Sequence, residues 1–154
     1  MSPKLARIAD PRTPGEQELF FLPLGGTGEI GMNLNLYGHD GKWLMVDLGV
    51  AFGEHDLPGI EVVMPDPDFI VERADSLVGL VLTHGHEDHL GAVPYLWKYL
   101  RCPIYATPFT AALLRRKLSD ERIQDSPEII EVPLSSRFTL GPFDIELVTL
   151  THSI

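Results

Sequence analysis

Four side chains that can bind a metal ion lie within six residues of the sequence. His84 and His86 are two residues apart, and Asp88 and His89 follow directly. Alternate side chains on extended backbone face the same way, so both imidazoles can reach one cation while the other two donors turn towards a second. Imidazole and carboxylate groups suit zinc, and also manganese or iron. The alternative is a polar loop with chance histidines.

The sequence around this motif predicts how the chain positions it. Residues 76–82 form a short apolar run that is typical of a buried strand, and the motif begins where this run ends. After the motif, the apolar residues from Leu90 to Leu100 recur at steps of three and four, which predicts a helix with Asp88 as its N-cap. We therefore expect the motif to join a strand to a helix.

Further strands are predicted on both sides of the motif. Asp40-Gly41 is a strong hairpin signal, and His39 beside it is predicted to be a turn residue. Thr107 and Pro108 are typical of an N-cap and first helical residue, in a helix that runs to Leu118. The predicted strands cover residues 18–24, 33–37, 42–46, 102–106, 128–132, 137–140 and 143–150.

Three other features could take part in function. The irregular stretch from Val50 to Phe69 contains His55 and Asp56, and it is either a functional loop or a solvated one. The basic residues 115–117 could touch phosphate, but a solvated helix end is the simpler interpretation. Cys102 is the only cysteine, so we expect it to fill the core, and no disulfide can form within the chain.

The glycine loop, residues 25–31, contains the pattern G-x-G-x-x-G of dinucleotide-binding proteins. That pattern must open a helix, whereas the residues from Asn33 onward alternate as a strand, so we reject this interpretation. Two explanations for the glycines stay open. Either the backbone approaches the candidate site closely, or neighbouring strands pack tightly.

Composition narrows the class of protein. The chain has 154 residues, 44% of them hydrophobic, and a mean hydropathy of +0.05, which is typical of a soluble globular protein without a membrane span. Its net charge of −10 would repel nucleic acid at long range. Residues 1–17 have no apolar signal region and are predicted to form a flexible arm before a folded part at 18–154, in a cytoplasmic protein.

Several motifs together resemble the metallo-β-lactamase superfamily and, within its β-CASP group, the N-terminal portion of bacterial ribonuclease J. The resemblance implies an α/β protein, the first half of an αββα fold with a mixed sheet and flanking helices. The β-CASP and C-terminal domains of that family would then be absent from these residues. The matching segments are residues 25–33, 47–49, 59–61, 65–66, 82–91 and 151–154.

The resemblance also implies a role for each candidate residue. His84, His86 and His152 would bind one metal, and Asp88 and His89 would bind the second. Among these, His84, His86 and Asp88 would be the catalytic residues. Asp47 would orient a ligand histidine by accepting its second N–H, although a turn former at the end of a strand is an alternative.

The implied activity is that of a metal-dependent ribonuclease of RNA processing and decay, which cuts from a 5′ end and also internally. Its two zinc ions, or manganese, would activate a hydroxide. RNA would be the partner. The full-length protein would form a dimer or tetramer, could join an RNA-decay complex and would not bind a membrane. Because further ligands are expected beyond Ile154, we expect little activity from these residues alone. The alternatives are a hydrolase of small esters or thioesters and a non-catalytic scaffold.

Overall fold

A computed structural model describes residues 12–53, 58–123 and 125–152, so His55 and Asp56 lie outside the described residues. In this part of the chain, no helix is long and apolar enough to cross a membrane. The strands are β1 (Phe20–Gly25), β2 (Leu34–His39), β3 (Lys42–Val46), β4 (Ala51–Phe52), β5 (Val62–Val63), β6 (Leu77–Val81), β7 (Ile104–Ala106), β8 (Ile129–Glu131), β9 (Arg137–Leu140) and β10 (Phe143–Glu146). The helices are α1 (Asp68–Val71), α2 (Glu87–Leu90), α3 (Val93–Leu100) and α4 (Pro108–Asp120).

The main sheet has six strands in the order β1-β2-β3-β6-β7-β8. The pairs β1–β2 and β2–β3 are antiparallel, whereas β3–β6, β6–β7 and β7–β8 are parallel. Helices connect the parallel strands, as such crossovers require. The expected α/β architecture with a mixed sheet and flanking helices is therefore confirmed.

The β2–β3 hairpin forms where the Asp-Gly signal predicts it. Asp40 and Gly41 both have positive φ, 45° and 68°, as a two-residue type I′ turn requires. His39 is the last residue of β2 and pairs with Lys42 across the turn. Residues just before β1 dock on this hairpin, since the carbonyls of Pro14 and Gly15 accept hydrogen bonds from the backbone N–H groups of Gly41 and Asp40.

The helix after the metal motif differs from the prediction. Two helices replace one, and Asp88 lies in the first turn of α2 while His86 occupies its N-cap position, so the capping prediction is wrong. The N–H of Ala92 donates to the carbonyl of Leu48 at 3.0 Å, outside the helix. Pro94 has no N–H to donate to Leu90, so the helical ladder cannot continue across this point.

Other boundaries also shift. The stretch from Val50 to Phe69 is not structureless, because β4 and β5 form a small antiparallel hairpin within it and α1 begins at Asp68. The last strand ends at Glu146, not at residue 150, and α4 runs two residues beyond Leu118. Cys102 is buried in the core as expected, and burial raises the pKa of its thiol to about 12.

The two faces of the main sheet are covered differently. All four helices pack on one face, where they bury a continuous apolar core with residues of β2, β3, β6 and β7. The β9–β10 hairpin packs on the other face, where Leu140 and Phe143 contact Leu44 and Val81. This arrangement leaves one edge of the sheet, at the carboxyl ends of β3 and β6, free to carry the metal motif.

Candidate metal centre

Asp47 and Thr83 meet at the carboxyl ends of two neighbouring parallel strands. Val46 of β3 pairs with Val81 of β6, and the N–H of Asp47 donates to the carbonyl of Val81 at 3.0 Å. Parallel strands deliver the residues that follow them to one edge, which is where α/β sheets generally bind ligands. The shared register of β3 and β6 therefore sets Asp47 beneath the metal motif.

Asp47 accepts hydrogen bonds from both Thr83 and His89. Its Oδ2 lies 2.7 Å from His89 Nδ1, and its Oδ1 lies 2.8 Å from the backbone nitrogen of Thr83. The Thr83 hydroxyl lies 2.9 and 3.0 Å from the two carboxylate oxygens. Asp47 is only 4% exposed and has a φ of 64°, so it both turns the chain after β3 and accepts the second N–H of a histidine.

Thr83 connects the same carboxylate to a second histidine. Its hydroxyl has one proton, which the carboxylate of Asp47 accepts, so its oxygen can only accept from His84 Nδ1 at 3.0 Å. This assigns the Nδ1–H tautomer to His84 and leaves the lone pair of Nε2 pointing towards His86, whose Nδ1 is 3.0 Å away. A single buried carboxylate thus sets the orientation of His89 directly and of His84 through Thr83.

The histidine trio, His84, His86 and His152, converges at the edge of the sheet. One nitrogen from each ring lies within 4.8 Å of the others. Two nitrogens bound to one tetrahedral zinc ion, at about 2.0–2.1 Å each, lie about 3.3 Å apart, so side-chain rotations would have to bring the trio to binding distance. Burial lowers the pKa of His84, and the neighbouring His89 and His86 lower it further. His84 therefore favours the neutral form that a metal needs, and the three converging ring nitrogens fit a cation.

Asp88 and His89 form a second group of donors beside the trio. His89 Nε2 lies 3.3 Å from Asp88 Oδ2, and with Nδ1–H donated to Asp47 both atoms present lone pairs. Two facing acceptors repel each other unless a proton or a cation lies between them. Burial alone would lower the pKa of His89, but the hydrogen bond and charge of Asp47, together with the charge of Asp88, raise it. This pair also fits a cation.

The carbonyls of α2 are held by a backbone seat formed by residues 48–50 together with Asn33. The N–H groups of Leu48, Asn33 and Val50 donate to the carbonyls of His89, Asp88 and Glu87, at 2.8, 3.0 and 3.0 Å in that order. Asn33 Nδ2 donates a further bond to the Asp88 carbonyl at 3.0 Å.

Glycine makes this close seat possible. A Cβ at Gly49 would overlap the Asp88 carbonyl, and one at Gly26 would overlap the Asn33 side chain. For Gly26 and Gly49, close approach of the backbone to the site is thus the explanation that the structure supports.

The basic residues 115–117 all pair with carboxylates, and only Lys117 reaches the metal motif. Arg115 pairs with Glu131, and Arg116 lies 3.8 Å from Asp120, both in exposed ion pairs. Lys117 contacts Glu87 within the metal motif at 2.8 Å. The contacts of Arg115 and Arg116 match the solvated helix end, whereas that of Lys117 does not. The sequence analysis did not identify Asn33 and Thr83 as supporting residues of the site, although both lie within the matching segments and carry polar side chains next to apolar strands.

The chain belongs to the metallo-beta-lactamase superfamily, whose family model matches residues 31–153. Curated proteins named ribonuclease J are among its relatives. That of Sinorhizobium meliloti is 46% identical over 143 residues, which are 90% of this chain and 25% of the relative. That of Mycolicibacterium smegmatis is 40% identical over 151 residues, 97% of this chain and 26% of the relative. The chain thus spans about a quarter of the length of these relatives.

Solved structures show the same fold. A protein of unknown function from Enterococcus faecalis V583 matches with a TM-score of 0.60 at 18% identity, over 88% of this chain and 38% of that one. The Rm3 metallo-beta-lactamase matches with a TM-score of 0.51 at 17% identity, over 86% of this chain and 48% of the other. The metallo-β-lactamase fold expected from the sequence is confirmed. The superfamily and the histidine trio together indicate a divalent metal site.

Proposed function

We propose that this chain supplies metal-binding residues to the active site of a metal-dependent ribonuclease that hydrolyses RNA phosphodiesters. The observation that carries the proposal is the convergence of the histidine trio within 4.8 Å, in a chain whose relatives are named ribonuclease J. The superfamily by itself supports metal chemistry and leaves the substrate open, so the proposal of RNA rests on these relatives.

In the proposed site the donors form two groups, one for each metal ion. The histidine trio holds one zinc ion, and Asp88 with His89 contributes to a second, with manganese as an alternative. Asp47 positions His89 directly and His84 through Thr83. Divalent ions supply Lewis-acid stabilisation of a phosphoryl group and an activated water nucleophile. We propose His84, His86 and Asp88 as the catalytic residues of this chain.

The finer features of the function are part of the same proposal. We infer a 5′-to-3′ exonuclease with endonuclease capability, acting in RNA processing and decay in the cytoplasm. The whole protein would assemble as a dimer or tetramer and could join an RNA-decay complex. The net charge of −10 opposes RNA at long range, so we expect bound cations to neutralise charge around the site.

The test uses the full reading frame that contains this segment, loaded with zinc. Internally labelled RNA with either a 5′-monophosphate or a 5′-triphosphate is incubated with the wild-type protein and with His86→Ala. His39→Ala is the matched control, because His39 lies at the far end of the β2–β3 hairpin. We expect mononucleotide release that favours the monophosphate, is lost in His86→Ala and persists in His39→Ala. Absence of RNA cleavage by metal-loaded wild-type protein would contradict the proposal and favour a small-molecule hydrolase.

A further inference from the structure

A groove runs from the metal motif past the glycine loop to the β4–β5 hairpin. Its lining includes His86, Glu87 and Asp88 of the motif and Phe52 and Val63 of the hairpin. The groove is open to solvent and has a volume of about 890 Å³. This volume lies within the range of about 300–1,000 Å³ that is typical of sites for small molecules or single groups. A substrate whose reacting bond lies at the metal motif can therefore extend into the groove.

Two large apolar side chains stand open to solvent along this groove. Ile30 is 95% exposed and Phe52 is 65% exposed, and Ala51 lies beside them. Single exposed apolar residues are common on protein surfaces. An aliphatic side chain and an aromatic ring in one groove that also includes His86 and Asp88 are instead the features of a substrate subsite.

The charges of the groove decide which part of a nucleic acid it can take. Among the described residues that line it, none is lysine or arginine. Glu29 and Glu87 place carboxylates along its wall, and Lys117 pairs with that of Glu87 from outside the lining, so Glu29 contributes most of the negative charge. Carboxylates repel a phosphate backbone. A nucleobase is neutral and flat, and its exocyclic amino groups can donate to carboxylates, so the charge pattern favours a base over a phosphate.

We propose that this groove binds an unpaired nucleobase next to the scissile phosphodiester, stacked on the ring of Phe52 and packed against Ile30. The inference rests on the proposed ribonuclease function, which it deepens by identifying a base subsite. Stacking on an aromatic ring accepts any base, so this subsite favours single-stranded over paired RNA without selecting a sequence.

The test compares substitutions at Phe52 in the full reading frame, using 5′-monophosphorylated RNA. Phe52→Ala removes the ring, Phe52→Leu keeps apolar volume without a ring, and Phe52→Tyr restores the ring. Phe109→Ala is the matched control, since Phe109 is 57% exposed on α4 and does not line the groove. We expect Phe52→Ala and Phe52→Leu to raise KM by roughly 5- to 150-fold with little change in kcat. Phe52→Tyr and Phe109→Ala should match the wild type.

Abasic substrates identify the base that is contacted. RNAs with one abasic nucleotide at successive positions around the cleaved bond are compared in the wild type and Phe52→Ala. At one position, removing the base should raise the KM of the wild type as much as Phe52→Ala does with intact RNA. Combining Phe52→Ala with that abasic RNA should raise KM no further than either change alone.

Two results would overturn the inference while the proposed function survives. One is an unchanged KM in Phe52→Ala with intact RNA. The other is an equal loss in Phe52→Ala at every abasic position, because Phe52 would then contact no particular base. If the wild type does not cleave RNA at all, the proposed function fails and the inference fails with it.

Discussion

The two halves of the candidate metal centre are held in different ways. Asp88 and His89 lie on α2, whose carbonyls are bonded to the backbone seat, and His89 is anchored on the buried carboxylate of Asp47. The histidine trio has less support, since its rings contact one another at centroid distances of 4.7–4.9 Å and His152 is exposed in a segment without helix or strand. The fold therefore preorganises Asp88 and His89, whereas we expect bound metal to contribute more to ordering the histidine trio.

The largest effect should come from Gly49→Ala, which adds a methyl group to the backbone seat that holds the carbonyls of α2. In Gly49→Ala the new methyl group would overlap the carbonyl of Asp88, which is backbone and cannot rotate away. We expect the free energy of unfolding of the metal-free protein to fall by about 1–3 kcal/mol or more, as for other overpacked sites, in urea unfolding experiments. Gly15→Ala is the control, because its Cβ would meet only the flexible side chain of Glu18. Equal stability of the two variants would show that the seat is not rigid.

Asp47→Asn should weaken metal binding in both halves. Asparagine tolerates the positive φ at this position, so the backbone is kept while the charge that orients His89 and Thr83 is lost. We expect zinc affinity, measured by competition with a chelator, to fall by roughly 10- to 100-fold. Asp40→Asn is the control, at an exposed turn with a similar φ of 45°. Wild-type affinity in Asp47→Asn would mean that the carboxylate serves only to turn the chain.

Asn33→Ala should act on the anchored half alone. It removes the side-chain bond to the carbonyl of Asp88 but leaves the backbone bond from the same residue. We expect a loss of about 1 kcal/mol in unfolding free energy and weaker binding of the second metal, with the trio's metal retained. Metal content after dialysis measures this, with Asn35→Ala on β2 as the control. Loss of both metals together would show that the halves are not separable.

In the metal-free protein, one histidine of each half should have its pKa shifted in the opposite direction from the other. Burial lowers the pKa of His84 below 6.5, whereas Asp47 and Asp88 outweigh burial and raise the pKa of His89 above it. Stability from His89 is thus present below pH 6.5 and is lost as pH rises through its folded pKa, while His84 costs stability as pH falls below 6.5. NMR titration of the imidazoles checks both directions. Equal pKa values for His84 and His89 would contradict the proposed difference between the two halves of the centre.

Local signals in the sequence were enough for some elements and not for others. The β2–β3 hairpin and the start of α4 follow from Asp40-Gly41 and Thr107-Pro108, because their dihedral preferences act within a few residues. The break between α2 and α3 has a local cause, Pro94, which the helix prediction overlooked, and a distant one, the bond from Ala92 to Leu48. The β4–β5 hairpin has two residues per strand, too few for a hydrophobic period to be read.

The same division holds for the candidate site. The spacing of His84, His86, Asp88 and His89 on one short segment made them visible as metal donors. His152 follows the motif by more than 60 residues, and only the resemblance to a family connected it to the cluster. Asn33 and Thr83 bind no metal in the proposed scheme, and their importance lies in contacts that form after β2, β3 and β6 come together.

The most direct test of the metal centre is a crystal structure of the zinc-loaded protein, with anomalous diffraction data collected on both sides of the zinc absorption edge. We predict one zinc peak bounded by His84, His86 and His152, and a second, weaker peak between Asp88 and His89. In Asp47→Asn both peaks should decrease. The absence of a peak at the histidine trio, with zinc bound only at surface carboxylates, would contradict the account.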